Sequence, residues 1–277
     1  MENVSFMVYK KGDPVIDAHL HALTLQDCAS VFDPKGRGLG DHSEAECEKG
    51  TFRAIEDYNL TAVTSGSKTH EWKKRYPERI IPGLMMLDFS TFPDPAKVKE
   101  TLHSEGYRVL GEIAPQLSGV GPSDSRLDPL YQVAEDLDIP VCIHIGPGAR
   151  EKRSYRASLG NPYLLEEALV RHPGLRIWVA HAGWPLLDEM IGMMDFHGDL
   201  YVDLGWVCWS LSKKELGYYV GRMVDVGLDD RVMFGSDQMM WPDMIKVGIE
   251  NIISADWLND KQVQGILHGN AKRFLRL

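Results

Sequence analysis

The sequence predicts a (β/α)8 TIM barrel, read as one domain spanning residues 1–277. Three observations carry that fold class. Eight short apolar runs rich in Val, Ile and aromatics recur along the chain, and several are apolar nearly throughout, as strands buried on both faces are. Segments with helix-start and helix-stop residues lie between them, and such alternation favours a parallel sheet with right-handed crossovers. The first run ends in histidines, whereas a doubly wound open sheet usually opens with a glycine-rich phosphate loop. The barrel is therefore preferred over the open sheet.

The runs are "PVIDAHLHA" (14–22), "LTAVTSG" (60–66), "RIIPGLMMLD" (79–88), "YRVLGEIAP" (107–115), "IPVCIHIG" (139–146), "LRIWVAHAG" (175–183), "LYVDLGW" (200–206) and "RVMFGSD" (231–237). Helices are expected over 43–59, where Ser43 and Glu46 form an S-x-x-E capping box, and over 94–106, with a proline in the first turn and a glycine at the end. Further helices are expected over 126–138, 161–174 and 212–227, and a closing helix over 259–277. In that last segment, Phe274 and Leu275 of "NAKRFL" read as core and Asn270 as a local hydrogen bonder.

Charge and cysteine usage narrow the function. A net charge of −10 argues against a surface that tracks nucleic-acid phosphates. The four cysteines (Cys28, Cys47, Cys142, Cys208) form no C-x-x-C pair and read as reduced thiols, with Cys142 plain core. The first residues lack the apolar core of a signal peptide, and no stretch approaches the ~18 apolar residues a membrane span needs. The expected location is the cytoplasm, with no membrane partner. A homo-oligomer is compatible with the sequence, although no stretch marks an interface.

Chemistry in a parallel barrel is done at the C-terminal strand ends and on the loops that follow. Ionisable residues there are costly to bury, so each wants an explanation. They are His19 and His21 on the first run, Glu112 on the fourth, His144 on the fifth, His181 on the sixth and Asp237 on the eighth. Side chains at i and i+2 of a strand share a face, so His19 and His21 point the same way. The other histidines fall in expected helices or loops. Imidazoles converging with two carboxylates match the ligand set of Zn²⁺ or a similar divalent ion. Zn²⁺ is the expected cofactor, as one or two ions, with Mn²⁺ the alternative. Asp203 on the seventh run is a candidate partner for one of these histidines.

The motifs "IDAHLH", "GE" in the fourth run, "IHIG", "VAHAGWP", "MFGSDQMMWP" and "NAKRFL" resemble the amidohydrolase superfamily, in its amidohydrolase-related branch, over essentially the whole chain. The resemblance implies His19, His21 and Asp237 as ligands of the more buried ion. It implies His144 and His181 as ligands of a second ion or, with one ion, as substrate-polarising and proton-transfer groups. Glu112 resembles the bridging carboxylate of some two-ion members, and Asp237 the general base. The expected chemistry is hydrolysis by a metal-activated water of a small molecule's ester, lactone or amide.

On the substrate side, the loop after the fifth run holds Arg150, Lys152, Arg153 and Arg156 within seven residues. Arg150, Arg153 and Arg156 are candidate grips for a substrate carboxylate or phosphate, against the alternative of a solvated loop. Trp184, Trp206, Trp209 and Trp241 follow runs six to eight; Trp184, Trp206 and Trp241 are the candidate walls of an apolar pocket. Gln116 and Gln238 are weaker candidates for hydrogen bonding. The rival readings are a one-ion decarboxylase of an aromatic or unsaturated acid, a metal-dependent nuclease disfavoured by charge, and a non-catalytic barrel disfavoured by the intact ligand set.

Overall fold

The computed structural model describes residues 9–10, 12–24, 26–27, 43–146, 148 and 153–277. Each expected run carries a strand: β1 (Val15–His21), β2 (Leu60–Ser65), β3 (Ile80–Met86), β4 (Val109–Ile113), β5 (Val141–His144), β6 (Ile177–Ala180), β7 (Tyr201–Asp203) and β8 (Val232–Met233). Neighbours are parallel and adjoin in chain order. Between β8 and β1 the ring closes through hydrogen bonds from Ala18 N–H to Phe234 O (2.9 Å), Asp237 N–H to His19 O (2.7 Å) and His21 N–H to Gln238 O (3.0 Å). β8 is regular for only two residues, and the chain beyond it takes a left-handed conformation at Asp237 (φ 52°). The architecture is the (β/α)8 barrel.

The helices are α1 (Glu44–Asp57), α2 (Thr69–Arg75), α3 (Pro95–Ser104), α4 (Asp128–Asp136), α5 (Glu166–Arg171), α6 (Leu187–Phe196), α7 (Val207–Ser210), α8 (Lys213–Asp225), α9 (Asp243–Ile253), α10 (Asp260–Gln264) and α11 (Asn270–Leu275). α1 starts on its capping box: Glu46 N–H donates to Ser43 Oγ (3.3 Å) and Ser43 N–H to the Glu46 carboxylate (2.8 Å). At α3 the Asp94 carboxylate accepts from Ala96 N–H (2.9 Å), ahead of Pro95. The expected closing helix is interrupted between α10 and α11 by a π turn, Gly265–Gly269. There the carbonyl of Ile266 is diverted to Phe234 N–H (2.8 Å), which ties the helix to the end of β8. α2, α6, α7 and α9 lie outside the expected helices; α2 and α7 are short and have no side-chain cap, and α6 carries Gly192 in its middle.

The core has two layers. Ile16, Ala18, Val109, Cys142, Trp178 and Met233 pack inside the ring, where Ala271, Phe274 and Leu275 of α11 join them. Val15, Leu20, Leu110, Ile113 and Ile143 belong to the larger cluster beneath the helices. Arg176 Nη1 donates to Phe274 O (2.8 Å), and Asn270 Nδ2 to Asp229 O and Val232 O (2.8 and 2.7 Å). α11 is thereby held at the N-terminal ends of the strands, opposite the ionisable strand ends.

Two register shifts aim the site residues. Between Asp17 and Leu20, β1 advances three residues while β2 advances two; between Leu110 and Ile113, β4 does the same against both neighbours. Strict alternation from Ile16 and Ala18 would turn His19 outward, and alternation from Val109 would turn Glu112 outward. The extra residue in each strand reverses the phase and brings both into the ring. The Asp17 carboxylate serves the first bulge, accepting from His19 N–H (3.1 Å) and Ser236 N–H (2.8 Å). The second depends on Gly111, at φ 150°, where an added Cβ would stand 2.5 Å from Cys142 Cβ and 2.7 Å from Cys142 O. Gly111→Ala is expected to lower the unfolding free energy by about 2 kcal/mol or more, measured by urea denaturation. A loss under about 0.5 kcal/mol, the range of an inert surface change, would contradict this account of β4.

Candidate metal centre

The six residues expected as ligands meet at the C-terminal mouth of the ring, each less than a tenth exposed. His19 and His21 arrive on β1, Glu112 on β4 and His144 on β5. His181 stands just past β6 in a tight turn, and Asp237 just past β8. They fall into two halves around Glu112. Its Oε2 lies 3.7 Å from His19 Nε2 and 3.6 Å from His21 Nε2, whose nitrogens are 3.2 Å from each other. Asp237 Oδ1 completes this half, 3.5 and 3.1 Å from the same two nitrogens. Glu112 Oε1 faces the other half, 2.7 Å from His144 Nδ1 and 3.6 Å from His181 Nε2.

The donor set fits a divalent cation. Ligands about 2.1 Å from one ion stand roughly 3.0 to 3.4 Å from each other, close to the spacings in each half. Two imidazole nitrogens as close as those of His19 and His21 cannot both carry a proton without repulsion. Asp237 Oδ1 is buried without a hydrogen-bond partner among the described residues. The field is strongly negative: burial disfavours a charged His19, yet Asp203, Asp237 and Glu112 push it well above the ordinary histidine range. Burial likewise favours neutral Glu112, but His19, His144 and His181 hold its carboxyl well below the usual range.

Second partners fix the rings. His19 Nδ1–H donates to Asp203 Oδ2 (3.1 Å), His181 Nδ1–H donates to Gly205 O (3.0 Å), and His21 Nδ1 meets the Ser65 hydroxyl (3.1 Å). Each contact turns Nε2 inward. The backbone is strained at the same place: His181, Ala182, Trp206 and Asp237 all have positive φ, between 49° and 62°. Ser65 and Asp17 are site residues that sequence reading passed over. Asp17 stood within "IDAHLH", but only the bulge reveals its task.

The substrate-side candidates divide. Trp184 and Trp206 are half-buried and packed together, ring centroids 5.1 Å apart, beside the turn that carries His181. Trp241 is buried, and so is Trp209, whose Nε1–H donates to Ser236 O. Arg150 lies outside the described residues. Arg153 is exposed, and the Arg156 guanidinium donates to the carbonyls of Arg153 and Tyr155 within its own loop. Tyr155 pins that loop by donating to Gly146 O (2.7 Å). Gln116 Nε2 donates to Arg156 O (3.4 Å), whereas Gln238 bonds Thr51 of α1 (2.9 Å). Cys47, Cys142 and Cys208 are free and buried; Cys28 lies outside the described residues.

Comparison with known proteins agrees with this architecture. An uncharacterized TIM-barrel protein from Bordetella bronchiseptica is 22% identical at a TM-score of 0.73, over 95% of this chain and 98% of that one. A probable 2-pyrone-4,6-dicarboxylic acid hydrolase from Acinetobacter baumannii, with citric acid bound, is 12% identical at a TM-score of 0.65, over 95% and 99%. A 5-carboxyvanillate decarboxylase from Novosphingobium aromaticivorans, complexed with manganese and a nitrobenzoic acid, is 14% identical at 0.63, over 96% and 97%. At these identities the likeness concerns the fold. No curated protein matches the sequence. A family model described as amidohydrolase matches residues 16–277, so the chain belongs to the amidohydrolase family.

Proposed function

We propose that this barrel is a metal-dependent hydrolase that cleaves an ester, lactone or amide of a small anionic molecule with two divalent ions bound. The observation that carries the reading is the division of Glu112: one carboxylate oxygen faces His19 and His21, the other His144 and His181. Zn²⁺ suits a set of four imidazoles and two carboxylates, and Mn²⁺ is the alternative. Ions bound there lower the pKa of water toward about 7 and polarise a substrate oxygen.

The chain's own groups do the rest. With Oδ1 among the groups that would hold an ion, the second oxygen of Asp237, 3.9 Å from His181 Nδ1, is the one that would accept a proton from the water and return it to the leaving group. Trp184 and Trp206 wall the side next to His181, with Trp241 behind the rim. Arg150 and Arg153 are the proposed carboxylate or phosphate grips; Arg156 serves the shape of their loop. We read the chain as one domain acting in the cytoplasm on a small molecule, with neither nucleic acid nor membrane as partner. Among the described residues no helix is long and apolar enough to cross a membrane.

One observation favours a second reading, decarboxylation of an aromatic or unsaturated acid around a single ion. His144 Nδ1–H donates to Glu112 Oε1 at 2.7 Å, so that oxygen already has a proton-bearing partner and His144 and His181 are left for proton transfer. Metal content per chain separates the two readings. Wild type is expected to carry close to two ions and Glu112→Ala close to one, with acid released from esters or lactones. One ion in both proteins, with CO₂ released from unsaturated acids, would establish the lyase instead. No ion in either, after reconstitution with Zn²⁺ or Mn²⁺, would overturn both. Asp237→Asn is expected to lower kcat about 10²- to 10⁴-fold on any substrate turned over, and an unchanged kcat would remove it as the base.

A further inference from the structure

We infer that Asp203, which is not itself a ligand, is a positioning residue that organises both halves of the metal centre through one carboxylate. The inference rests on the two-ion reading for its consequence and on the geometry of β7 for its content. Asp203 closes β7 with 0% of its surface exposed, and its carboxylate accepts from four N–H groups. Oδ2 accepts from His19 Nδ1–H (3.1 Å) and Trp178 Nε1–H (2.9 Å). Oδ1 accepts from the backbone N–H of His181 (3.2 Å) and of Gly205 (2.7 Å).

The two oxygens serve different halves. A carboxylate only accepts, so contact with Oδ2 obliges His19 to carry its proton on Nδ1 and leaves Nε2 bare toward His21 and Glu112. Ser65 places no such demand on His21, because a hydroxyl can donate or accept. Oδ1 holds the N–H of His181, where the chain enters its left-handed turn at φ 60° and 49°. It also holds Gly205 N–H, and Gly205 O in turn accepts from His181 Nδ1–H (3.0 Å). Both the backbone and the ring of His181 are therefore referred to Asp203. Space is closed around the arrangement: a Cβ on Gly205 would lie 2.8 Å from both Asp203 Oδ1 and His19 Nδ1, and one on Gly235 3.0 Å from His19 Cβ.

Asp203→Asn separates the two tasks. The amide oxygen can still accept from His181 and Gly205, whose N–H groups cannot change. The NH₂ group then faces His19 and the indole N–H of Trp178; Trp178 loses its acceptor, and His19 can relieve its own conflict only by moving its proton to Nε2. In apo protein labelled with ¹⁵N-histidine, NMR should show His19 Nδ1 protonated in wild type and unprotonated, with the proton on Nε2, in Asp203→Asn. Zn²⁺ titration against a chromophoric chelator should show the first-half ion weakened about 10- to 100-fold and the second-half ion nearly unchanged. Asp203→Ala should weaken both, and Ser65→Ala only the first. An Asp203→Asn protein with the wild-type tautomer and both affinities intact would reduce Asp203 to packing. A folded Asp203→Ala that weakens only one ion would break the proposed link between halves. A wild type that binds no Zn²⁺ would overturn the two-ion reading, while the tautomer comparison would still decide the contact between Asp203 and His19.

Discussion

The carboxylate of Glu112 is shared between two pairs of imidazoles, and the upper half of the barrel is arranged to bring it there. Its strand carries an extra residue, which turns Glu112 inward when simple alternation would send it toward the helices. The extra residue is tolerated because Gly111 has no side chain to collide with Cys142 on β5. β1 repeats the device for His19, with Asp17 taking up the amide that the bulge leaves over. Two bulges on opposite sides of the ring thus set one geometry.

Burying Glu112, Asp203 and Asp237 within a few ångströms of each other is unfavourable without positive charge among them. In the protein alone that charge falls on histidine, which is why His19 is driven toward its charged form. A divalent cation held there would meet the same need and leave the imidazoles neutral. Left-handed backbone at His181, Trp206 and Asp237 belongs to the same balance, since such strain persists only where surrounding bonds hold it. Asp203 supplies two of those bonds from a position no solvent reaches.

The sequence made the barrel legible because parallel strands buried on both faces must be apolar runs, and all eight stand where those runs fall. The cluster at the mouth was legible for the same reason: His19, His21, Glu112, His144, His181 and Asp237 interrupt apolar runs at the strand ends, and the structure brings their side chains together there. Facing was less accessible, because alternation from Val109 gives the wrong side for Glu112 and nothing local announces a bulge beyond the glycine before it. Ser65 and Asp17 look like ordinary strand residues until the ring is closed and their partners arrive from elsewhere in the chain. The arginines after β5 illustrate the opposite case: a charge cluster obvious in sequence, of which Arg156 turns back to its own loop.

In the proposed hydrolysis Glu112 would bridge two ions, and in the alternative decarboxylation it would support one. Its position is therefore the point at which to look. Zinc-edge anomalous diffraction from crystals of the metal-loaded protein locates ions independently of any substrate. The account predicts two peaks about 3.5 Å apart, one between His19, His21 and Glu112 Oε2 and one between His144, His181 and Glu112 Oε1. A single peak beside His19 and His21, with Glu112 Oε1 still bound to His144, would contradict it.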